Sequence, residues 1–430
     1  MSTIAEPITL PCGAVLPNRL AKGAMTEGLA DCQGRATPEL ARLYGLWAEG
    51  GSGLLITGNV QIDGDHLERP GNVIIQGRPD DAALDGLRAM AAAGTRGGGH
   101  VWMQISHAGR QTQASVNPHP KAPSAVAVQL PGNQFGTPVA LTEAEIVDLI
   151  ERFGVAAEVA RETGFTGVQI HAAHGYLLSQ FLSPRSNLRT DDWGGSLENR
   201  ARMLMQVVAR VRQAVGPGFP VGVKLNSADF QKGGFAFEDS VIVAGWLQDA
   251  GVDLLEISGG SYEQPAMMDI QGIEPPEIPV QRTSTAAREA YFVGFAKTLR
   301  RSVSLPLMVT GGFRTRAGMN MAIETGGADV IGLGRPLCVD PAGPAKLLAG
   351  AERLDRWETK LRLLPPALQF LNGLKLIQSV EGFAITYWFY AQIDALARTG
   401  TARPGVSPFS ALLQVTRSGA AWMKARRAAS

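Results

Sequence analysis

Eight short apolar runs recur along the chain, at 20–24, 53–57, 100–105, 167–171, 221–225, 254–258, 307–310 and 330–333. Each is continuous rather than alternating, the pattern of strands covered on both faces. The intervals carry helical spacing. Leu40, Leu43 and Trp47 form an apolar stripe behind Thr37-Pro38-Glu39, which offers an N-cap, a proline for the first turn and an early acid. Thr142 to Glu145 reads as a capping box for a helix ending near Thr163. Gly51, Gly94, Gly164, Gly216, Gly251 and Gly326 each stand between a helical stretch and the next run, where a chain leaving a helix often needs positive φ. Eight strands, most followed by a helix, fit an α/β protein built as a closed (β/α)8 barrel better than an open doubly wound sheet, which the pattern alone leaves available. The repeat stops near residue 350. The reading therefore divides the chain into a barrel over 1–350, led by an N-terminal hairpin, and a helical extension over 351–430 that packs on the barrel or across a dimer interface.

Composition narrows the function classes. Of 430 residues, 40 are Lys or Arg and 39 Asp or Glu, so the net charge is +1. That balance gives no electrostatic case for a nucleic-acid partner. Hydrophobic residues at 45% and charged residues at 18% argue against disorder. Cys12, Cys32 and Cys338 are too few and too scattered for a disulfide framework or a thiolate metal site. No apolar run reaches the roughly 20 residues of a membrane span; the aromatic stretch near the C-terminus is interrupted by Lys375, Glu381, Gln392 and Asp394. The first residues lack a basic segment followed by an apolar one, so a cytoplasmic protein is expected.

A barrel builds chemistry at the C-terminal ends of its strands. There the chain places Met25-Thr26, Gly58-Asn59, Gln104 to His107, His171 to Tyr176, Lys224 with Asn226, Ser258-Gly259-Gly260, Gly311-Gly312 and Gly334-Arg335. The last two turns, with Arg335, suit a phosphate, because glycine lets backbone N–H groups approach an anion. His171 and His174 stand three apart at one strand end, as donors to an anion or carbonyl oxygen. A metal is not expected there, since no third ligand stands nearby. Tyr176 offers a proton donor. Lys224 lies inside an apolar strand, where a charge is costly unless paired or used. It suits a Schiff base or a fixed cation facing developing negative charge.

These motifs, in this order, resemble the Old Yellow Enzyme family of flavin-dependent oxidoreductases. The resemblance rests on Asn18-Arg19-Leu20 leading to Ala24-Met25-Thr26, on Gln104 with His107-Ala108-Gly109-Arg110, and on His171-Ala172-Ala173-His174-Gly175-Tyr176 running through Ser183-Pro184 to Glu198-Asn199-Arg200. The turns at Gly312 and Gly334-Arg335 complete it. It covers residues 5–345 and implies a TIM barrel with non-covalent FMN at the C-terminal face. Carried over by position, Thr26 bonds near the flavin C4 carbonyl, with Ala24 and Met25 beside it. Gln104 takes the pyrimidine edge, and Lys224 stands where relatives usually have Arg, near N1 and O2. Gly311, Gly312, Gly334 and Arg335 hold the phosphate, and Asn59, His171, Ser258 and Gly259 line the remaining flavin face. His171 and His174 bind the substrate carbonyl oxygen and Tyr176 protonates the adjacent carbon.

The implied enzyme takes electrons from NADH or NADPH and reduces an activated alkene of small-molecule size, as a homo-oligomer. Amine dehydrogenation, NADH oxidation, or a Schiff-base lyase using Lys224 are the alternatives. Gly58-Asn59 departs from the acidic and small pair common in relatives. No cysteine follows Cys338, so the iron–sulfur cluster of larger relatives is not expected.

Overall fold

A computed structural model describes residues 3–130, 134–263, 291–364 and 375–429. Eight parallel strands form its centre: β1 (Leu20–Lys22), β2 (Leu54–Ile56), β3 (His100–Ser106), β4 (Gly167–Ala172), β5 (Val221–Asn226), β6 (Leu254–Ser258), β7 (Leu307–Thr310) and β8 (Val330–Leu333). Each pairs with its sequence neighbours, β8 returns to β1, and β2 joins β3, so the sheet closes. The fold is the expected (β/α)8 barrel. Outside it stand α1 (Pro38–Glu49), α2 (Asp81–Gly94), α3 (Glu143–Glu162), α4 (Leu197–Val215), α5 (Phe237–Asp249), α6 (Tyr291–Leu299), α7 (Arg316–Glu324) and α8 (Gly343–Leu348).

The barrel is plugged from below. Ile8–Thr9 and Val15–Leu16 form an antiparallel hairpin. Its Leu10 and Leu16 pack into a buried cluster with Ala21, Leu54, Ile56, Trp102, Leu254, Met308 and Val330. Trp102 fills the interior because β4 and β5 carry glycine beside it. A Cβ on Gly167 would sit 2.4 Å from its Nε1, and one on Gly222 2.9 Å from its Cζ3. With the lower half filled by side chains, the upper rim is where the barrel can build chemistry.

Local signals mostly hold, with three corrections. Thr142 and Glu145 make the reciprocal capping box of α3. Gly51, Gly164, Gly216, Gly251 and Gly326 all take positive φ, from +68° to +89°. Gly94 does not: it is the last residue of α2, the helix is capped by Thr95, and the left-handed turn falls to Gly98 at φ +75°. Thr37 occupies the N-cap of α1 but gives its hydroxyl to the Leu29 carbonyl at 2.9 Å rather than accepting from the helix. The first strand is also shorter than its apolar run, because Ala24 to Thr26 leave the ladder toward the rim.

Two long helices follow the barrel, α9 (Lys375–Thr399) and α10 (Pro408–Ala429). Residues 365–374 of the extension lie outside the described residues. Trp388 is fully buried, stacks on Trp357 and donates to the Val406 carbonyl at 2.8 Å. Arg42 of α1 holds the end of α9 through the Ala397 carbonyl at 2.7 Å. Trp422 of α10 donates to the Ala30 and Asp31 carbonyls, and Arg426 to those of Cys32 and Gly64. The extension therefore lies across the loops that follow β1 and β2. No helix among the described residues is long and apolar enough to cross a membrane.

Candidate active site

The end of β4 turns sharply. His174 has φ +62° and Gly175 φ +76°, and two successive left-handed residues swing the chain back over the barrel. Asn226 of β5 accepts the His174 amide at 3.0 Å and Gln111 donates to its carbonyl at 2.9 Å. This turn gathers His171, His174 and Tyr176, whose rings meet edge-on with centroids 5.0 Å apart for the two histidines and 4.8 Å for His171 and Tyr176. Burial pushes both imidazoles well below the usual histidine range, with the Lys224 ammonium acting the same way. Both are therefore neutral at pH 7. The Ala173 amide donates to Nδ1 of His171, which assigns its proton to Nε2. Nε2 of His174 lies 2.6 Å from the Ser258 hydroxyl.

Tyr176 is joined to two groups. Its hydroxyl donates to Glu68 at 3.1 Å and lies 2.8 Å from the hydroxyl of Tyr262. The same oxygen of Glu68 also accepts from Thr26 at 2.9 Å and from Asn59. Thr26 and Asn59 thus meet Tyr176 through a carboxylate, a link that no sequence signal announced. Burial raises the Tyr176 phenol well above its usual range, and the Glu68 charge adds to that. Beside Glu68, Arg69 lies over the ring of Tyr390 from α9, 4.0 Å from its centroid.

A second network runs across four neighbouring strands. Gln104 donates to Gln169 at 2.6 Å, Gln169 donates to Glu256 at 2.7 Å, and the Lys224 ammonium lies 3.0 Å from the other oxygen of Glu256. Strand register sets this up: Lys224 is the Cα partner of both His171 and Glu256, and Gln104 that of Gln169. Glu256 is fully buried inside an apolar strand, so the reasoning that picks out Lys224 applies equally to its partner.

The ends of β7 and β8 are open and basic. A Cβ on Gly311 would meet nothing within 4 Å, and one on Gly334 only the Met25 sulfur at 3.8 Å. Gly311 and Gly312 have φ +111° and +82°. Three guanidinium groups, Arg314, Arg335 and Arg356, act on the carboxylate of Glu358 and hold it below the usual range against its burial. Arg314, which donates to Glu358 at 2.9 Å, was not among the expected residues. Thr310 Oγ1 and Asn59 Oδ1 are buried with no protein partner among the described residues. Open glycine turns, a cluster of guanidinium groups and buried polar atoms without a protein partner suit FMN, phosphate end included. Gly259 answers to packing as well, since a Cβ there would lie 2.5 Å from Phe230. Met25 and Ala24 lie at the start of the rim, the former against the Cys338 thiol.

Asp63, His66 and His107 also converge closely enough to hold a metal ion. Their hydrogen bonds oppose it. The Gly109 amide donates to Nδ1 of His107 and the Lys121 amide to Nε2 of His66, so the nitrogens left facing Asp63 carry hydrogens. Burial alone would raise the Asp63 carboxyl, but the N–H groups of His107 and His66 hold it well below the usual range. Arg152 adds a cation at 3.2 Å. Burial pushes His107 down to about 4, with His66 adding to the effect.

Comparison with known proteins places the chain in a family. A model of the NADH:flavin oxidoreductase / NADH oxidase family matches residues 3–353. The NADH-dependent flavin oxidoreductase iliE of Neonectria sp. is 39% identical over 355 residues, covering 79% of this chain and 46% of that protein. Its counterpart iccE of Talaromyces variabilis is 34% identical over 413 residues, covering 92% and 99%. The chain thus spans under half of the first relative and nearly all of the second. Among solved structures, the old yellow enzyme homologue from Zymomonas mobilis superposes with a TM-score of 0.68 at 26% identity, over 85% of this chain and 98% of that one.

Proposed function

Because this chain belongs to the NADH:flavin oxidoreductase / NADH oxidase family, whose members use FMN with NAD(P)H as reductant, we propose that it is an ene-reductase acting on alkenes activated by a carbonyl or similar group. The observation that carries this reading is the placement of two neutral imidazoles and a protonated phenol at one strand end. Bound FMN supplies the two-electron hydride carrier. Gln104 and Lys224 would hold its ring, and Gly311, Gly312, Gly334 and Arg335, with Arg314, its phosphate.

The chain's own residues handle charge and protons. His171 keeps an N–H at Nε2, and His174 keeps one at Nδ1 when Ser258 donates to its Nε2. Two neutral donors fixed by buried neighbours stabilise negative charge growing on a carbonyl oxygen, without an added proton. Tyr176 delivers a proton to the carbon beside that carbonyl. Its raised pKa keeps the phenol protonated until that carbon becomes basic. Lys224, as an ammonium bound to Glu256, has no free lone pair to attack a carbonyl, which counts against a Schiff-base lyase.

Rapid-mixing spectra of the FMN-loaded protein test the reading. NADH or NADPH should bleach the flavin, and an enone, enal or nitroalkene should restore its colour anaerobically. Bleaching that only oxygen reverses would replace the proposal with an oxidase.

A further inference from the structure

The bonding around Tyr176 raises a difficulty that the proposed chemistry must resolve. A phenol that donates to Glu68, or to Tyr262, has no proton to offer a substrate. Glu68 in turn is 5% exposed, lies in the loop after β2, and receives three donors on one oxygen, none of them a cation. Arg69 is the nearest positive charge, and it is stacked on Tyr390. A buried carboxylate without a bonded cation is costly, whereas the acid form is not.

We propose, resting on the ene-reductase reading, that Glu68 is the positioning and proton-supplying residue behind Tyr176. In its acid form it donates to the phenolic oxygen, turns the Tyr176 proton toward the substrate, and replaces that proton once it has left. Written out, the Tyr176 O–H bond breaks and a C–H bond forms at the carbon beside the carbonyl, with the O–H electron pair staying on Oη. The Glu68 O–H bond then breaks and a new Oη–H bond forms. Glu68 is left as a carboxylate and takes one proton from solvent hydronium before the next turnover.

Three further observations fit. Burial raises the Glu68 carboxyl above the usual range even against its donors and Arg69. Tyr262 is a second phenol on the same oxygen of Tyr176, so the cluster can reorient without leaving an atom unpaired. The titratable and charged groups that interact with Glu68 include Tyr176 and Tyr262 from the ends of β4 and β6, Arg69 beside it and Tyr390 from α9.

The test uses the FMN-loaded full chain, its Glu68→Gln and Tyr176→Phe variants, and two readouts. In infrared spectra, the wild type should show a protonated-carboxyl band that is lost as pH rises through one ionisation. The band should vanish in Glu68→Gln and shift in Tyr176→Phe. In rapid mixing, reoxidation of reduced flavin by an enone should fall about tenfold per pH unit above the same ionisation. Glu68→Gln, whose amide still donates to Oη, should be flat across that range. A band indifferent to either substitution, or a variant that keeps the wild-type pH profile, overturns the proposal. Failure of the wild type to reduce any alkene at any pH overturns the ene-reductase reading, whereas alkene reduction without the carboxyl band or its pH dependence overturns the relay alone.

Discussion

Two buried carboxylates of the barrel, Glu256 and Glu68, are held in opposite ways. Glu256 sits inside β6, fully buried, with the Lys224 ammonium at 3.0 Å and the Gln169 amide at 2.7 Å. Its partner is fixed by strand register, so the pair is part of the frame. Glu68 sits in a loop, almost as deeply buried, and its bonded partners are all neutral. A carboxylate bonded to an ammonium in a rigid sheet belongs to the scaffold, and one bonded only to hydroxyls and an amide has no cation to hold it ionised. Burial therefore does not decide a carboxylate's role; the partner does.

The comparison is tested most severely by removing the group that joins Glu68 to the proposed chemistry. Tyr176→Phe should slow flavin reoxidation by an enone by about 10² to 10⁴-fold, the usual worth of a positioned general acid, and leave flavin reduction within a few-fold. Equal losses in both half-reactions would remove Tyr176 as proton donor.

The next effect concerns stability. Glu256→Ala leaves the Lys224 ammonium buried and alone, which should cost about 3 to 5 kcal/mol in denaturant unfolding. A double variant with Lys224→Met should recover most of it. Glu68→Gln strands no charge and should cost far less; similar losses for the two single variants would erase the contrast.

A smaller effect follows from titration. Burial holds the folded Glu68 carboxyl above its usual range, so between the unfolded and folded pKa values only the folded chain keeps the proton. Its contribution is complete below the unfolded value of about 4.3 and is lost as pH rises through the folded one. Glu68→Gln should flatten that decline, by about 1.4 kcal/mol for each unit separating the two values, measured as unfolding free energy against pH. Smallest of all, Thr142→Ala should remove about 1 kcal/mol through the α3 cap and leave both half-reactions untouched, a control far from either carboxylate.

The frame of the site was legible because its signals are local. Continuous apolar runs marked the strands, and glycines at their upper ends marked the open turns at Gly311 and Gly334. Lys224 stood out by lying in an apolar strand. Glu256 carries the same signal, but pairing it with Lys224 requires the strand register. Glu68 carried no signal, because an acid in a loop after a strand is ordinary. Its partners Asn59 and Tyr176 come from the ends of two different strands, and Arg69 beside it is stacked on Tyr390 of α9. Gly94 was misplaced for a smaller reason: Thr95 continues the turn, and the left-handed residue comes at Gly98.

The left-handed conformation of His174 has a consequence for anyone selecting this protein for heat resistance. A residue with a Cβ held at φ +62° stores roughly 1 to 2 kcal/mol that glycine would release. A screen blind to chemistry should therefore favour His174→Gly, raising the melting temperature while discarding one of the two imidazoles offered to the substrate oxygen. Persistence of histidine at that position under selection for turnover, and its disappearance under selection for stability alone, would measure how much robustness the chain gives up to keep its chemistry.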